Sequence, residues 1–186
     1  MKVPREFESH PFRQVLMKLL NEVIEDINNS KKTLYILCGL PYSGKTYMSK
    51  EILAKTSCIY ISIDQILQKL GFDWNSNKLP NKDEWKLVFD ISYQKSQEAL
   101  KNDLNVLYDS TNHTKISRDV LQKIATDVGA DTKIIYIDVP VETVWGRWEE
   151  NNSKKDRSVI DKKLVEMTVK SFEIPTDDEN LFIVKN

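Results

Sequence analysis

Short apolar runs and stretches of helical period alternate along most of this chain. Residues 11 to 28 come first. Val15, Leu16, Leu19, Leu20, Val23, Ile24 and Ile27 fall on one stripe at helical spacing, which predicts an amphipathic helix. Pro11 suits its first turn, and Asn28-Asn29-Ser30 ends it. Such a stripe serves either packing across the outside of a sheet or binding to a partner. "TLYILC" (33–38) is a continuous apolar run that predicts a strand buried on both faces. Helical "KTYMSKEILAK" follows. "CIYISI" (58–63) predicts a second buried strand, and "DQILQKL" begins another helix. "NVLY" (105–108) and "KIIYID" (133–138) predict strands three and four, with helical "SRDVLQKIATDV" between them. Helices are expected near 141–151 and 159–172, and "LFIV" (181–184) closes the series as a fifth strand. Strands alternating with helices indicate a parallel sheet covered on both faces, an α/β fold.

One segment breaks the rhythm. "GFDWNSNKLPNKDEW" (71–85) is polar and turn-rich, and a helix over roughly 84–100 follows it. Extra material at this point suits either a substrate-shaping element or a neutral insertion.

Composition narrows the picture. The 186 residues are 40% hydrophobic, enough for one core with a small appendage, so the expected division is an N-terminal helical segment over 1–30 and one domain over 31–186. The formal net charge of −1 argues against a generally basic nucleic-acid binder. The two cysteines, Cys38 and Cys58, cannot make a disulfide framework and read as reduced, buried thiols of a cytoplasmic protein. No stretch approaches the ~20 apolar residues of a membrane span. Arg5, Glu6, Glu8, Arg13 and Lys18 interrupt any secretory leader.

The strongest chemical signal is "GLPYSGKT" (39–46), which fits G-x-x-x-x-G-K-[ST] without mismatch and lies between a strand and a helix. Gly39 and Gly44 let the backbone coil so that N–H groups around Tyr42, Ser43 and Gly44 point inward at an anion. The helix that follows adds its free N–H groups and its dipole. Lys45 can reach β- and γ-phosphates, and the Thr46 hydroxyl suits Mg²⁺.

Two aspartates fall at strand ends, where open α/β sheets bind ligands. Asp109 follows "NVLY" and reads either as a Mg²⁺-binding acid or as a turn former opening "DSTNHT". Asp64 follows "CIYISI" and reads either as a general base for an acceptor hydroxyl or as first-turn helix chemistry, since Ser62 and Gln65 have capping-box spacing. His10 and His113 form no metal-ligand set, and His113 is expected to be an exposed loop residue. Trp74 and Trp85 flank the insert, placed either to stack on an acceptor ring or to pack against the sheet. The run Lys154, Lys155, Arg157, Lys162, Lys163 is interleaved with Asp156 and Asp161, which reads as a solvated surface.

Together, "GLPYSGKT", "ISID", "VLYDSTNHTKISRDVLQKIA", "IYIDVPVETVWGRWEENN" and "SFEIPTDDE" resemble the small P-loop kinases related to polynucleotide 5′-kinase. Zeta-toxin and chloramphenicol phosphotransferase are more distant relatives. The resemblance runs from about residue 33 to 184. It implies a three-layer α/β/α fold with five parallel strands in the order 2-3-1-4-5. It implies a helical lid over about 141–172, and the insert falls at 71–86. It also implies transfer of phosphate from ATP, with GTP possible and Mg²⁺ required, to a hydroxyl. Lys45 and Thr46 then match the nucleotide and magnesium residues. Asp64 matches the acceptor-activating aspartate, Asp109 the acid after the third strand, and Arg147 the first lid arginine.

The alternative for Arg147 is a solvated helix arginine paired with Glu150 or Asn151. Leu67 stands where the polynucleotide kinases carry an arginine that holds a substrate phosphate. Asn151 stands at the second lid arginine, with Arg157 a candidate replacement. The leading expectation is a small-molecule or nucleoside-like acceptor, followed by a polynucleotide 5′-hydroxyl. A non-catalytic ATP-binding switch acting on a protein partner is the alternative from another class.

Overall fold

The computed structural model describes residues 11–72, 74, 78–154 and 158–185. The readings for Arg5, Glu6, Glu8, His10, Lys155, Asp156 and Arg157, and for the side chains of Arg13, Val15 and Leu16, lie outside the described residues.

Seven helices and five strands alternate among the described residues: α1 (Pro11–Asn29), β1 (Thr33–Cys38), α2 (Lys45–Leu53), β2 (Ile59–Ser62), α3 (Ile63–Lys69), α4 (Lys82–Lys101), β3 (Val106–Asp109), α5 (Lys115–Thr126), β4 (Asp131–Asp138), α6 (Val141–Lys154), α7 (Lys162–Lys170) and β5 (Leu181–Lys185). The sheet is parallel in every pairing and ordered β2-β3-β1-β4-β5. β2 and β5 are reached through α2 and through α6 and α7 on one face of the sheet, and β3 and β4 through α3 and α4 and through α5 on the other.

The continuous apolar runs follow from this double coverage. Leu34, Ile36 and Cys38 of β1 point into a core with Val106 and Tyr108 of β3, Ile134 and Tyr136 of β4, and helices α3 to α5. Tyr35 and Leu37 point the other way, into a core with Leu107, Ile135 and Ile137 and with α1, α2, α6 and α7. A strand whose two faces are both buried has no polar side to show, so period-2 alternation is absent.

The α1 stripe is used for packing. Leu20, Val23, Ile24 and Ile27 are buried in the second of these cores. Asp26 anchors the helix to the sheet, accepting the Tyr35 hydroxyl and the Lys133 ammonium, each at 2.6 Å. Caps set several boundaries. Asn81 and Glu84 form a reciprocal capping box that starts α4 two residues earlier than periodicity suggests. Thr114 accepts from the Ser117 amide and starts α5 at Lys115. Asp161 caps α7, which spans Lys162–Lys170 and is shorter than expected.

Two expectations need correction. The second strand is not buried throughout. It is an edge strand of the sheet, paired with β3 alone, and Ile59 is 37% exposed. An apolar run states that a strand meets a core, not where in the sheet it lies. Cys58 is accordingly half-buried beside Thr56, whereas Cys38 is fully buried. Both cysteines are free thiols. No helix among the described residues is long and apolar enough to cross a membrane.

Candidate active site

The segment after β1 turns sharply back towards α2. A Cβ placed on Gly39 would lie 2.8 Å from Ser43 Oγ and 3.0 Å from the Ile137 carbonyl oxygen, so only a hydrogen fits. Gly44 precedes α2 at φ 110°, a left-handed conformation that glycine adopts without strain. Tyr42 also has positive φ, at 63°. Its ring is buried, its hydroxyl accepts from the Ile160 amide at 3.2 Å, and its carbonyl accepts from Arg147 at 3.1 Å. Contacts on both sides thus hold a backbone conformation that tyrosine rarely adopts alone. The Gly39 amide is tied to the Thr111 carbonyl at 3.1 Å, which joins this loop to the one after β3.

Lys45 opens α2 and folds back over the loop. Its ammonium donates to the Gly39 and Leu40 carbonyls at 2.8 Å each. Burial pushes its pKa down, while the negative charges of Asp109, Cys38 and Asp64 push it up; the net direction is down. Thr46 follows, exposed in the first turn of α2.

Asp109 ends β3, in register with Leu37 of β1 and Ser62 of β2. Its carboxylate accepts the Tyr60 hydroxyl at 2.6 Å. Burial raises its pKa, the Tyr60 hydrogen bond and the Lys45 charge lower it, and the Asp64 charge raises it again; the net direction is up. Tyr60 is pushed up to about 12, by burial first and then by Asp109. A desolvated carboxylate of this kind is well suited to meeting a cation. Asp64 is the second residue of α3 and is exposed. The helix cap itself is made by Ser62, which accepts from the Gln65 amide at 3.4 Å. Asp64 instead accepts the indole N–H of Trp74 at 3.1 Å. Lys45, Asp64 and Asp109 thus all follow the carboxyl ends of three adjacent strands, β1, β2 and β3, on the side of the sheet that carries the glycine-bounded loop.

Arg147 projects from α6 onto the same loop, and its guanidinium donates to the Tyr42 and Ser43 carbonyls, both at 3.1 Å. Asn151 is buried and donates to the Ser158 carbonyl at 3.2 Å, which links α6 to a residue shortly before α7. Trp148 donates to the Ile160 carbonyl at 2.9 Å, completing the link through Ile160 to Tyr42. Leu67 is buried in the core beneath α3. Trp85 joins Trp74 at 6.2 Å between ring centroids, and both pack against the same core.

Sequence reasoning missed the scaffold behind the loop after β3. Arg118 and Glu179 form a buried two-point ion pair, at 2.7 and 3.0 Å, with both side chains 1% exposed. Arg118 also donates to the carbonyls of Asn112 at 3.2 Å and Glu173 at 2.9 Å. Asn112 sits at φ 47°, and its amide donates to the Leu37 carbonyl at 2.7 Å, clipping the loop to the end of β1. A signal was available, because Arg118 lies on the same helical stripe as Leu121 and Ala125. An arginine on an apolar stripe calls for a buried partner. His113 is half-buried rather than exposed, because its carbonyl accepts the Glu173 amide at 2.8 Å and draws the segment after α7 over it. Burial lowers its pKa and Glu173 opposes this; the net direction is down.

Among the described residues, no three His, Cys, Asp or Glu side chains are grouped to hold a metal by themselves. The oxygens at hand are the Thr46 hydroxyl and the Asp109 carboxylate, hard donors of the type that Mg²⁺ takes alongside substrate phosphates.

A glycine-bounded anion cradle at the carboxyl end of the central strand of a 2-3-1-4-5 parallel sheet is the architecture of a P-loop NTPase domain of the kinase type. The comparisons agree. Residues 34–175 match the family model described as AAA domain, and the chain belongs to that family. It is 31% identical over 132 residues to L-seryl-tRNA(Sec) kinase of Methanococcus maripaludis, covering 68% of this chain and 49% of that protein. The chain thus spans about half the length of that curated relative. The fold also resembles a chain of the Pnkp1/Rnl/Hen1 RNA repair complex, at TM-score 0.66 and 22% identity over 79% of this chain and 46% of that one. It resembles Chaetomium thermophilum Kti12 in complex with ADP-AlF3, at TM-score 0.62 and 20% identity over 82% of this chain and 88% of that one.

Proposed function

We propose that this chain is an ATP- and Mg²⁺-dependent phosphotransferase that moves the γ-phosphoryl group to a hydroxyl of a small or nucleoside-like acceptor. The observation that carries this reading is that the ends of β1, β3 and β2 lie in register at Leu37, Asp109 and Ser62, which puts Asp109 and, two residues past Ser62, Asp64 on the edge of the sheet from which the glycine-bounded loop and Lys45 emerge. A motor or switch needs the cradle and an acid for magnesium. It does not need a second, exposed carboxylate at the end of the neighbouring strand.

In this reading the backbone N–H groups around Gly44 and at the start of α2, with the Lys45 ammonium, grip the phosphate tail. Thr46 and Asp109 would hold Mg²⁺, which neutralises charge on the β- and γ-oxygens when bound. Asp64 takes the acceptor proton as the acceptor oxygen bonds to the γ-phosphorus. The bond from that phosphorus to its bridging oxygen breaks, and ADP leaves. Arg147 lies against the loop from α6 and offsets charge on the transferring group. Residues 31–186 form the catalytic domain, α1 braces its outer face, and residues 141–172 close as a lid that keeps water from the phosphate. GTP would serve in place of ATP if the base is not read.

Leu67 sits in the core, so α3 offers no cation at that point for an acceptor phosphate, which favours an uncharged acceptor. A hydroxyl carried on RNA is the second reading, favoured by the likeness to L-seryl-tRNA(Sec) kinase and to the RNA repair complex. The test is transfer from γ-labelled ATP to a panel of nucleosides, 5′-hydroxyl oligoribonucleotides, seryl-tRNA, sugars and antibiotics, with Asp64→Asn as control. Transfer that Asp64→Asn abolishes while ATP binding survives supports the kinase. A variant that retains full transfer removes Asp64 from the chemistry. Wild type that binds ATP but phosphorylates no member of the panel favours a switch.

A further inference from the structure

Asp64 has a partner that phosphate chemistry does not use. It is an exposed side chain on a helix of seven residues, and Trp74 reaches it from the polar insert. Aspartate χ1 and χ2 sample several wells in water, yet a base must hold one oxygen within hydrogen-bond reach of the proton it removes. The Trp74 indole N–H occupies Oδ1 at 3.1 Å. An indole donates and cannot accept, so it fixes the carboxylate without competing for the proton. The indole takes one oxygen and leaves the other for an acceptor hydroxyl.

Trp74 is itself braced. Its ring meets Trp85 at 6.2 Å and 45°. Trp85 stacks on Phe89, and Phe89 on Tyr93, each at 5.9 Å. Residues 85, 89 and 93 occupy successive turns of α4, a 20-residue helix locked at its start by a capping box. Offset aromatic contacts of this kind resist rotation of each ring. The orientation of Asp64 is therefore referenced to the longest helix of the domain rather than to its own short one.

We propose that Trp74 is a positioning residue for Asp64, acting through its N–H and anchored by the aromatic row of α4. This rests on the reading of Asp64 as the base. The experiment compares wild type, Asp64→Asn, Trp74→Phe and a chain carrying β-(3-benzothienyl)alanine at position 74, which keeps the bicyclic shape and replaces N–H with sulfur. Each is assayed for single-turnover transfer from γ-labelled ATP to the acceptor panel above and to water, for acceptor KM, for ATP affinity and for melting temperature.

The proposal expects both position-74 variants to lose about ten- to a hundredfold in kcat, the range for a misplaced catalytic group. Acceptor KM, ATP affinity and, for the benzothienyl chain, melting temperature stay at wild-type values. If the benzothienyl chain turns over like wild type, the ring rather than the N–H matters and the proposal is overturned. That outcome leaves Asp64 as base intact wherever Asp64→Asn is inactive. If Asp64→Asn remains active, or wild type transfers to nothing, the parent reading fails and this inference fails with it.

Discussion

Replacing Arg118 with Met should be among the most damaging single changes outside the glycine-bounded loop. The substitution keeps an apolar stem of similar length and removes the guanidinium. Glu179 then remains as a charge that is 1% exposed and has lost both hydrogen bonds from its partner. Breaking a buried pair from one side costs ~3–5 kcal/mol. The Asn112 and Glu173 carbonyls also lose a donor, at roughly 1 kcal/mol each, which places the total towards the top of that range. At ~2–4 °C per kcal/mol for a chain of this size, the melting temperature should fall by roughly 8–20 °C.

Glu179→Gln should cost a similar amount, because it strands Arg118 instead, and the two variants differ in their response to acid. Burial alone would raise the Glu179 carboxyl, but the Arg118 hydrogen bonds outweigh it and hold it below its usual value. The stability it contributes is present above the unfolded pKa of ~4.3 and is lost as pH falls through the folded value. The gap between wild type and Glu179→Gln should therefore narrow below about pH 4. Urea unfolding between pH 3 and pH 7 measures both effects. A loss under ~1 kcal/mol for Arg118→Met, or a gap that stays constant into acid, would refute the burial argument.

Two further substitutions probe the site directly. Gly44→Ala puts a side chain at φ 110°, costing ~1–3 kcal/mol of backbone strain where the cradle must keep its shape. Thermal unfolding and ATP titration should both record a loss, and an unstrained variant with native ATP affinity would mean the loop does not use this conformation. Tyr60→Phe removes the 2.6 Å hydrogen bond to Asp109. The Mg²⁺ concentration that half-supports nucleotide binding should rise by about tenfold, as for other lost partners of metal ligands. An unchanged Mg²⁺ requirement would take Asp109 out of the metal site.

Much of this architecture was legible in the chain because it is written locally. "TLYILC" followed by Gly39, Gly44 and Lys45 states strand, tight turn and helix start within 13 residues, each with its own steric reason. The expected strand order is also the observed one. What escaped is non-local. Nothing near Arg118 announces Glu179, 61 residues away. Trp74 lies ten residues from Asp64, beyond the end of α3, so no helical period carries one to the other. Arg147 finds the Ser43 carbonyl from 104 residues further along. The exposure of Ile59 on β2 escaped the reading of its apolar run, although the expected strand order already put that strand at an edge. Caps lie in between. Asn81 and Glu84 had the spacing for a box and could have moved the start of α4 to its observed residue.

The most direct measurement is isothermal titration of ATP·Mg²⁺ into wild type and Lys45→Ala, followed by γ-phosphoryl transfer with the same preparations. Lys45 opens the helix behind the cradle and donates to the Gly39 and Leu40 carbonyls. Wild type should bind at a single site and transfer the label. Lys45→Ala should lose affinity or turnover by orders of magnitude while still unfolding cooperatively, with a melting temperature lower by about 4–8 °C for the two carbonyls that lose a donor. Equal heats and equal turnover in the two proteins, or no binding by wild type, would contradict the account.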